Sequence, residues 1–470
     1  MTIAADVRSP RRFLAPDLAR GFMLLFIAVA NSHYFLQNAP ALGGFPRETT
    51  GLDAVLVGLI ATLVDGRAYP LFAALFGYGL VEIYRRRLTA AGKDPDRATR
   101  KDVSRAQWRP IRRLIRRRSL WMVAIGFLHG ILLYVGDILA AYGLLAFLVV
   151  PALRWKSRTL VILAALAFAL TSLPTGDSLT VESSVGRDPA MLPGSIWAGV
   201  VERAPALLVL VPLYPIGLVF PFLIGILAAR ARLLECPDRR LVLLRRVAIA
   251  GVGTAVAGGL PIALVLAGVV NEPAGPILSR LGTLHDATGH FGGLGYAAAI
   301  ALLAYRITSR SNAERGRVVA AITAAGERSM TCYLAQSAVW TLAFAPYALD
   351  LTPQLSVTTV AALAIGTWLA TVFLADWMRR HNRRGPFEVL LRKLTYRNGR
   401  NDRNEGGNRS GPGERAARGD RSVGGPYPAR AADGGRIAGE AASGTTSSGL
   451  PEPLAGTDQM SEPPSGPVNP

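Results

Sequence analysis

Cysteine is almost missing from this sequence. It has two in 470 residues, Cys236 in a basic stretch and Cys332 in an apolar one. Neither has a partner to pair with, so neither a disulfide framework nor a thiolate metal cluster is expected. Histidine is nearly as scarce, at five. His285 and His290 are five apart and do not share a helix face, so with Asp286 they read as a polar outer loop and no metal is expected. No Gly-Lys-Ser/Thr phosphate loop occurs. The run Gly293-Leu294-Gly295-Tyr296-Ala297-Ala298 echoes a dinucleotide loop, but it lies inside an apolar segment with no strand before it. No bound cofactor is therefore expected. Acidic residues are outnumbered, 32 against 52 basic, for a formal net charge of +20. A basic balance fits nucleic-acid binding, but no aromatics interleave with these arginines as a stacking platform, so no nucleic-acid partner is expected.

What the sequence has is long apolar blocks without a polar face, such as 119–135, 206–229 and 357–375. A bilayer core of ~30 Å takes ~20 apolar residues in a helix. The blocks predict an all-α, polytopic membrane helix bundle of about ten spans: 17–36, 52–84, 119–136, 138–152, 160–173, 206–229, 247–270, 291–305, 329–348 and 357–377. The first block carries Asp17 and Arg20 and lacks a small-residue cleavage site, so it reads as a retained helix. The lipid bilayer is the expected partner. Arginines gather in alternate connections: 8–12, 85–87 with 112–118, 154–158, 230–246, 306–317 and 379–384. By the positive-inside rule both termini face the cytoplasm, in a bacterial plasma (inner) membrane. The expected organisation is a cytoplasmic N-terminus at 1–12, the bundle at 13–396 and a disordered cytoplasmic tail at 397–470. The tail is rich in Gly, Pro, Ser and charge and too poor in apolar residues to offset the entropy of ordering.

The second block is ~33 residues, too long for one plain crossing, and Asp65-Gly66-Arg67 interrupts it. One crossing preceded by a half-helix is expected, with the break lining a cavity, because irregular backbone at that depth persists only where protein or water covers it. Polar residues inside other spans are the remaining candidates, being costly there unless they face a bundle interior. Asp17, Arg20 and Asn31 share one face of the first span; Asp17 also suits a helix cap, and Arg20 a snorkelling anchor. His33 lies just beyond. His129 lies near mid-membrane between Gly126 and Gly130, whose spacing admits a close neighbour. Asp137 follows eight residues on, ~12 Å along a straight helix, and reaches His129 only if the helix bends. Ser329, Tyr333, Gln336 and Trp340 form a stripe that serves as interhelical glue or as a binding surface. One polar cavity bordered by His129, Asp137, Arg20 and Asn31 is expected.

Arg20-Gly21 with Asn31, Leu75-Phe76-Gly77-Tyr78-Gly79, His129 with Gly136-Asp137-Ile138-Leu139, Gly326-Glu327-Arg328-Ser329-Met330-Thr331 with Tyr333-Leu334 and Gln336-Ser337, and Gly385-Pro386-Phe387-Glu388 with Leu394-Thr395-Tyr396 occur in order. Together they resemble the YeiB-like family of bacterial multi-pass membrane proteins, a domain of unknown function. Asp17, Arg20-Gly21 and Asn31 also resemble the start of the transmembrane acetyltransferases that act on heparan glucosamine. That group carries its catalytic histidine in the following loop, where residues 34–51 here have none. The second resemblance implies an acyltransferase that moves an acyl group from acetyl-CoA or another acyl-CoA, as co-substrate, to a small-molecule, glycan or lipid acceptor of the cell envelope. His129 is the first choice for its base and His33 the second, since imidazole titrates near neutrality. Asp137 is the orienting group, and Arg20 and Arg67 are candidates for the CoA phosphates. The alternatives are a small-solute or lipid transporter using the same residues and Asp65, or a scaffold without chemistry.

Overall fold

The structure, a computed structural model, describes residues 13–94, 103–173, 178–183, 186–310 and 316–396. The expected N-terminal segment and the tail lie outside these residues. Thirteen α-helices follow in order among them: α1 Leu14–Ser32, α2 Gly51–Leu63, α3 Ala68–Ala90, α4 Arg105–Leu132, α5 Leu139–Val149, α6 Ser157–Thr171, α7 Ile196–Arg230, α8 Leu241–Leu266, α9 Gly275–Arg310, α10 Arg317–Glu327, α11 Ser329–Phe344, α12 Val357–Arg380 and α13 Pro386–Tyr396. Three two-residue strands, β1 Ala41–Leu42, β2 Phe45–Pro46 and β3 Glu182–Ser183, pair antiparallel in the order β2-β1-β3. The fold is a helix bundle.

Among the described residues, six helical stretches are long and apolar enough to cross a bilayer: Leu14–Phe35, Gly51–Ala90, Ile196–Arg230, Pro237–Leu266, Gly275–Ser309 and Val357–Arg380. The expected ten also counted α4, whose first half is arginine-rich, and α5, α6 and α11. Those last three, at 11, 15 and 16 residues, fall short of the ~20 that a plain crossing needs. Outward faces carry large apolar side chains such as Ile249 and Phe373, 76% and 71% exposed. That is the surface of a protein solvated by lipid rather than water.

Several boundaries depart from the sequence expectation for physical reasons. The arginines of 112–118 are helical: Ser104 and Gln107 form a capping box that starts α4, and arginine is a good helix former. Trp108, Ile111 and Ile115 turn inward while Arg109, Arg112 and Arg113 point out. Helix α9 begins at Gly275 rather than near 291, so His285, Asp286 and His290 lie inside a helix and not in an outer loop. Helix α7 begins at Ile196 and runs through four prolines. The break in the second block is real. Helix α2 is about 20 Å long, and residues 64–67 turn before α3 begins, with Gly66 at φ +72°.

Candidate functional site

Two motifs that lie far apart in the sequence meet at the arginine-rich end of the bundle. Glu388 of α13 reaches across to the start of α11. Its Oε1 accepts from the backbone N–H groups of Met330 (2.9 Å) and Thr331 (3.1 Å), and its Oε2 from the Thr331 hydroxyl (2.5 Å). A carboxylate on the second and third amides of a helix satisfies orphan donors and complements the helix dipole. Arg328 closes the same joint by donating to the Arg383 carbonyl through Nη2 (2.8 Å) and to Ala324 (3.1 Å). Glycines in the remaining motifs let backbones touch. A side chain at Gly21 would meet the Ile322 carbonyl at 2.1 Å, and one at Gly77 the Phe222 carbonyl at 2.2 Å.

This joint walls a cavity of about 230 Å³ between α1, α3, α4, α5, α11 and α13. Leu24, Ile27, Phe72, Leu75, Met122 and Leu139 make it apolar within; Arg20, Arg118, Glu327 and Glu388 give it a charged mouth. A second hollow of about 280 Å³ shares Arg20, Phe76, Arg118 and Glu327 with the first. The shared side chains make the two hollows neighbours. Arg20 donates to Asp17 (2.9 Å). Arg118, half-buried, has a buried Nε with no partner.

Tyr333, Ile138 and Leu139 line the cavity, and the His129 ring centroid lies 5.2 Å from that of Tyr333. The Ile138 amide donates to the Tyr333 hydroxyl (3.4 Å). Behind this wall His129 Nδ1 and Asp137 Oδ1 are 2.7 Å apart, both residues buried. The straight-helix estimate of ~12 Å fails because α4 ends at Leu132 and the chain folds back through residues 133–138. Gly126 makes the return possible: a side chain there would meet the Ala140 nitrogen at 2.3 Å and Asp137 Oδ2 at 2.6 Å. Asp137 Oδ2 also accepts from Ala140 N–H (2.7 Å). Both carboxylate oxygens therefore accept, so His129 donates through Nδ1, and the ring nitrogen left over is Nε2. That Nε2 is buried without a partner.

The other expected site residues go elsewhere. Of the four expected around one cavity, Arg20 lines it; His129 and Asp137 stand behind its wall. Asn31 lies beyond, accepting from the Tyr134 hydroxyl (3.0 Å) in the turn after α4. His33 is fully buried and stacks on Phe45 at 3.8 Å between centroids. It does not line the cavity. Gln336 is buried with both amide atoms unpartnered, and Trp340 packs on Phe35 and Phe344. Asp65 and Arg67, in the turn between α2 and α3, are buried in a separate cluster against α9, with Arg67 on His285, so Arg67 is no candidate for an entering phosphate. Arg118 is the second arginine that lines the cavity. Its position as the last arginine before an apolar block was the available signal.

Near the second hollow, in the α7–α8 connection, Glu235 accepts from the Tyr78 hydroxyl and from Arg85, each at 3.1 Å. Burial, and then Glu82 beside it, push the Glu235 carboxyl up to about 7 against the pull of Arg85. The folded protein thus holds a proton between pH about 4.5 and about 7 that the unfolded chain has released. The contribution to stability is largest at the acid end of that window and declines as pH rises through it. Glu235→Gln is expected to flatten this decline in detergent melting curves taken across the window; an unchanged profile would contradict the assignment.

Residues 228–398, which include α8 to α13 and hence the Glu388 joint and Tyr333, match the family described as "Protein of unknown function (DUF418)". The chain is 27% identical over 401 residues to the uncharacterized protein YeiB of Escherichia coli (strain K12), covering 81% of this chain and 95% of that one. It is 24% identical over 411 residues to the uncharacterized protein YxaH of Bacillus subtilis (strain 168), covering 81% and 93%.

Proposed function

The chain belongs to the YeiB-like family of membrane proteins, and on that premise we propose that it is an acyltransferase of the bacterial plasma membrane. It takes an acyl group from an acyl-CoA and transfers it to a hydroxyl or amine of a small-molecule, glycan or lipid acceptor of the cell envelope. The observation that carries the reading is the His129–Asp137 pair, with Nε2 unpartnered, set against the wall of a cavity whose mouth holds two guanidiniums.

Asp137 holds the Nδ1–H tautomer, which leaves Nε2 as the base. Nε2 removes the acceptor's O–H or N–H proton as that atom attacks the thioester carbonyl. The new acyl–oxygen or acyl–nitrogen bond forms, the carbon–sulfur bond breaks, and the departing CoA thiolate takes the proton back from Nε2. Tyr333 packs beside the ring on the cavity wall and must turn aside for Nε2 to reach the acceptor. Arg20 and Arg118 bind the phosphates at the mouth. The inner cavity of about 230 Å³ is below the ~300 Å³ of a drug-sized pocket. It therefore holds the acyl end and its thioester arm, not the nucleotide.

The test uses purified full-length protein in nanodiscs with radiolabelled acetyl-CoA and a cell-envelope extract. Time-dependent release of CoA with label transferred to the extract is expected. Arg20→Ala and Arg118→Ala should each raise KM by about 10- to 150-fold, since a hydrogen bond to a charged group contributes about 1.5–3 kcal/mol. No CoA release beyond protein-free nanodiscs would sink the reading. Passage of a solute without acyl consumption would favour a transporter, for which the broken span with its buried charges is the supporting observation.

A further inference from the structure

The α2–α3 break holds a set of ionisable groups that the acyl-transfer reading does not use. Arg67 is fully buried there. Its Nη1 donates to the Asp65 carbonyl (2.5 Å) and contacts His285 Nε2; its Nη2 donates to the Ala255 carbonyl of α8 (2.7 Å). His285 Nδ1 lies 3.1 Å from Asp286 Oδ1, and its Nε2 lies 3.0 Å from the Ala61 carbonyl of α2. Asp65 Oδ1 accepts from Gly66 N–H (2.9 Å), while Asp65 Oδ2 is buried and unpartnered.

The seat is built for the guanidinium. A side chain at Gly259 would meet Arg67 Nη2 at 2.1 Å, one at Gly292 would meet Arg67 Cγ at 2.9 Å, and one at Gly293 the Arg67 carbonyl at 2.9 Å. One at Gly289 would meet the Gly66 carbonyl at 2.5 Å, and one at Gly66 His285 Cε1 at 2.7 Å. Gly293 of the run that superficially echoes a dinucleotide loop is explained by this packing, whereas a side chain at Gly295 would meet the Val252 nitrogen of α8 at 2.8 Å.

The charges do not balance. Asp65 and Asp286 are two carboxylates against one guanidinium and an imidazole. The other titratable groups facing the cluster are Tyr69 of α3 and His290 and Tyr296 of α9; Tyr296 is committed to the Leu63 carbonyl (2.8 Å). With His285 neutral and both carboxylates ionised the cluster carries one net negative charge at membrane depth, where an uncompensated charge is costly. One bound proton removes it. The imidazole has two settings. With Nδ1–H on Asp286 and Nε2 bare, Nε2 accepts from Arg67. With a hydrogen on Nε2 as well, that hydrogen points to the Ala61 carbonyl, and the guanidinium must exchange its contact for another acceptor. Asp65 Oδ2 is the buried oxygen at hand.

We propose that Asp65, Arg67, His285 and Asp286 form an intramembrane proton-binding site, in which a proton taken up at His285 Nε2 transfers the contact of Arg67 from His285 to Asp65. Asp286, partly exposed at 22% of its side chain, is the point of entry. The site shares no residue with the His129–Asp137 pair or the cavity mouth. Because the turn that it controls joins α2 to α3, and α3 carries Phe72, Leu75 and Phe76 of the cavity wall, proton binding shifts that wall.

The full chain with ring-¹⁵N-labelled histidine, in nanodiscs, tests this by NMR between about pH 8 and about pH 5. One buried imidazole should be neutral at the alkaline end and imidazolium at the acid end. Its signal should vanish in His285→Gln. In Asp286→Asn, which keeps the ring, His285 should stay neutral throughout. If His285→Gln does not fold, Asp286→Asn against wild type still decides. A His285 that stays neutral in wild type, or that charges equally in Asp286→Asn, overturns the proposal. So does a response that follows sodium in place of choline at fixed pH, which would make this a metal-cation site.

Discussion

His129→Asn is expected to lower acyl transfer by about 10²- to 10⁴-fold, the range a positioned general base supplies, with little change in melting temperature. The asparagine matters. Its amide nitrogen falls near the position of Nδ1, so it still donates to Asp137, but nothing occupies the position of Nε2. His129→Ala is a poorer test of chemistry. It leaves Asp137, fully buried, with its Oδ1 unpaired, and breaking a buried pair by removing one partner costs about 3–5 kcal/mol. Alanine therefore should lose both activity and stability. Measuring both variants by CoA release and by thermal unfolding in detergent separates a catalytic histidine from a structural one. If His129→Asn retained wild-type rates while folded, the base assignment would fail, whatever alanine did.

How far the residues alone foretold this arrangement depends on the kind of contact. Apolar blocks foretold the bundle, because lipid solvation imposes the same constraint on every span. The broken second block foretold the turn at residues 64–67 for the same reason. Helix α9 was missed at its start because Ser279, Arg280, His285 and Asp286 look polar enough for a loop. The polarity of His285 and Asp286 is used inside the bundle, where Arg67 and Asp286 meet His285, while Arg280 stays exposed. Contacts that need a chain reversal were out of reach. Spacing along a straight helix separates His129 from Asp137, and nothing in spacing says that Gly126 opens room for the return. Nor does it say that Glu388, conspicuous in its motif, seats on the amides of Met330 and Thr331. Asn31 shows the converse error: a shared helix face places Arg20 and Asn31 on one side, yet over eleven residues the face runs past the cavity to Tyr134.

Gly326→Ala is expected to prevent formation of a monodisperse protein. The added carbon would lie 1.7 Å from the Asp17 carbonyl oxygen and 2.9 Å from the Gly21 nitrogen, both backbone atoms of α1 that cannot rotate away. Relief requires α1 and α10 to separate, and that contact is reciprocal, since Gly21 in turn faces the Ile322 carbonyl at 2.1 Å. Separation also strains the bond from Trp368 Nε1 to the Gly21 carbonyl (3.0 Å), which ties α12 to the same point. Overpacking a close-packed interior usually costs about 1–3 kcal/mol. A backbone-to-backbone collision belongs in the tail above ~4–5 kcal/mol, comparable with the whole stability of many domains. Arg20 and Glu327 flank this contact at the cavity mouth, so any folded remnant should also lose the KM effect of Arg20. Gly366→Ala in α12 is the control: it is exposed, with nothing within 4 Å of the added carbon. It should be neutral or stabilise by up to ~1 kcal/mol through helix propensity. Size-exclusion profiles and melting curves of the two variants, expressed side by side, give the answer. Wild-type behaviour of Gly326→Ala would mean that α1 and α10 do not cross at this glycine.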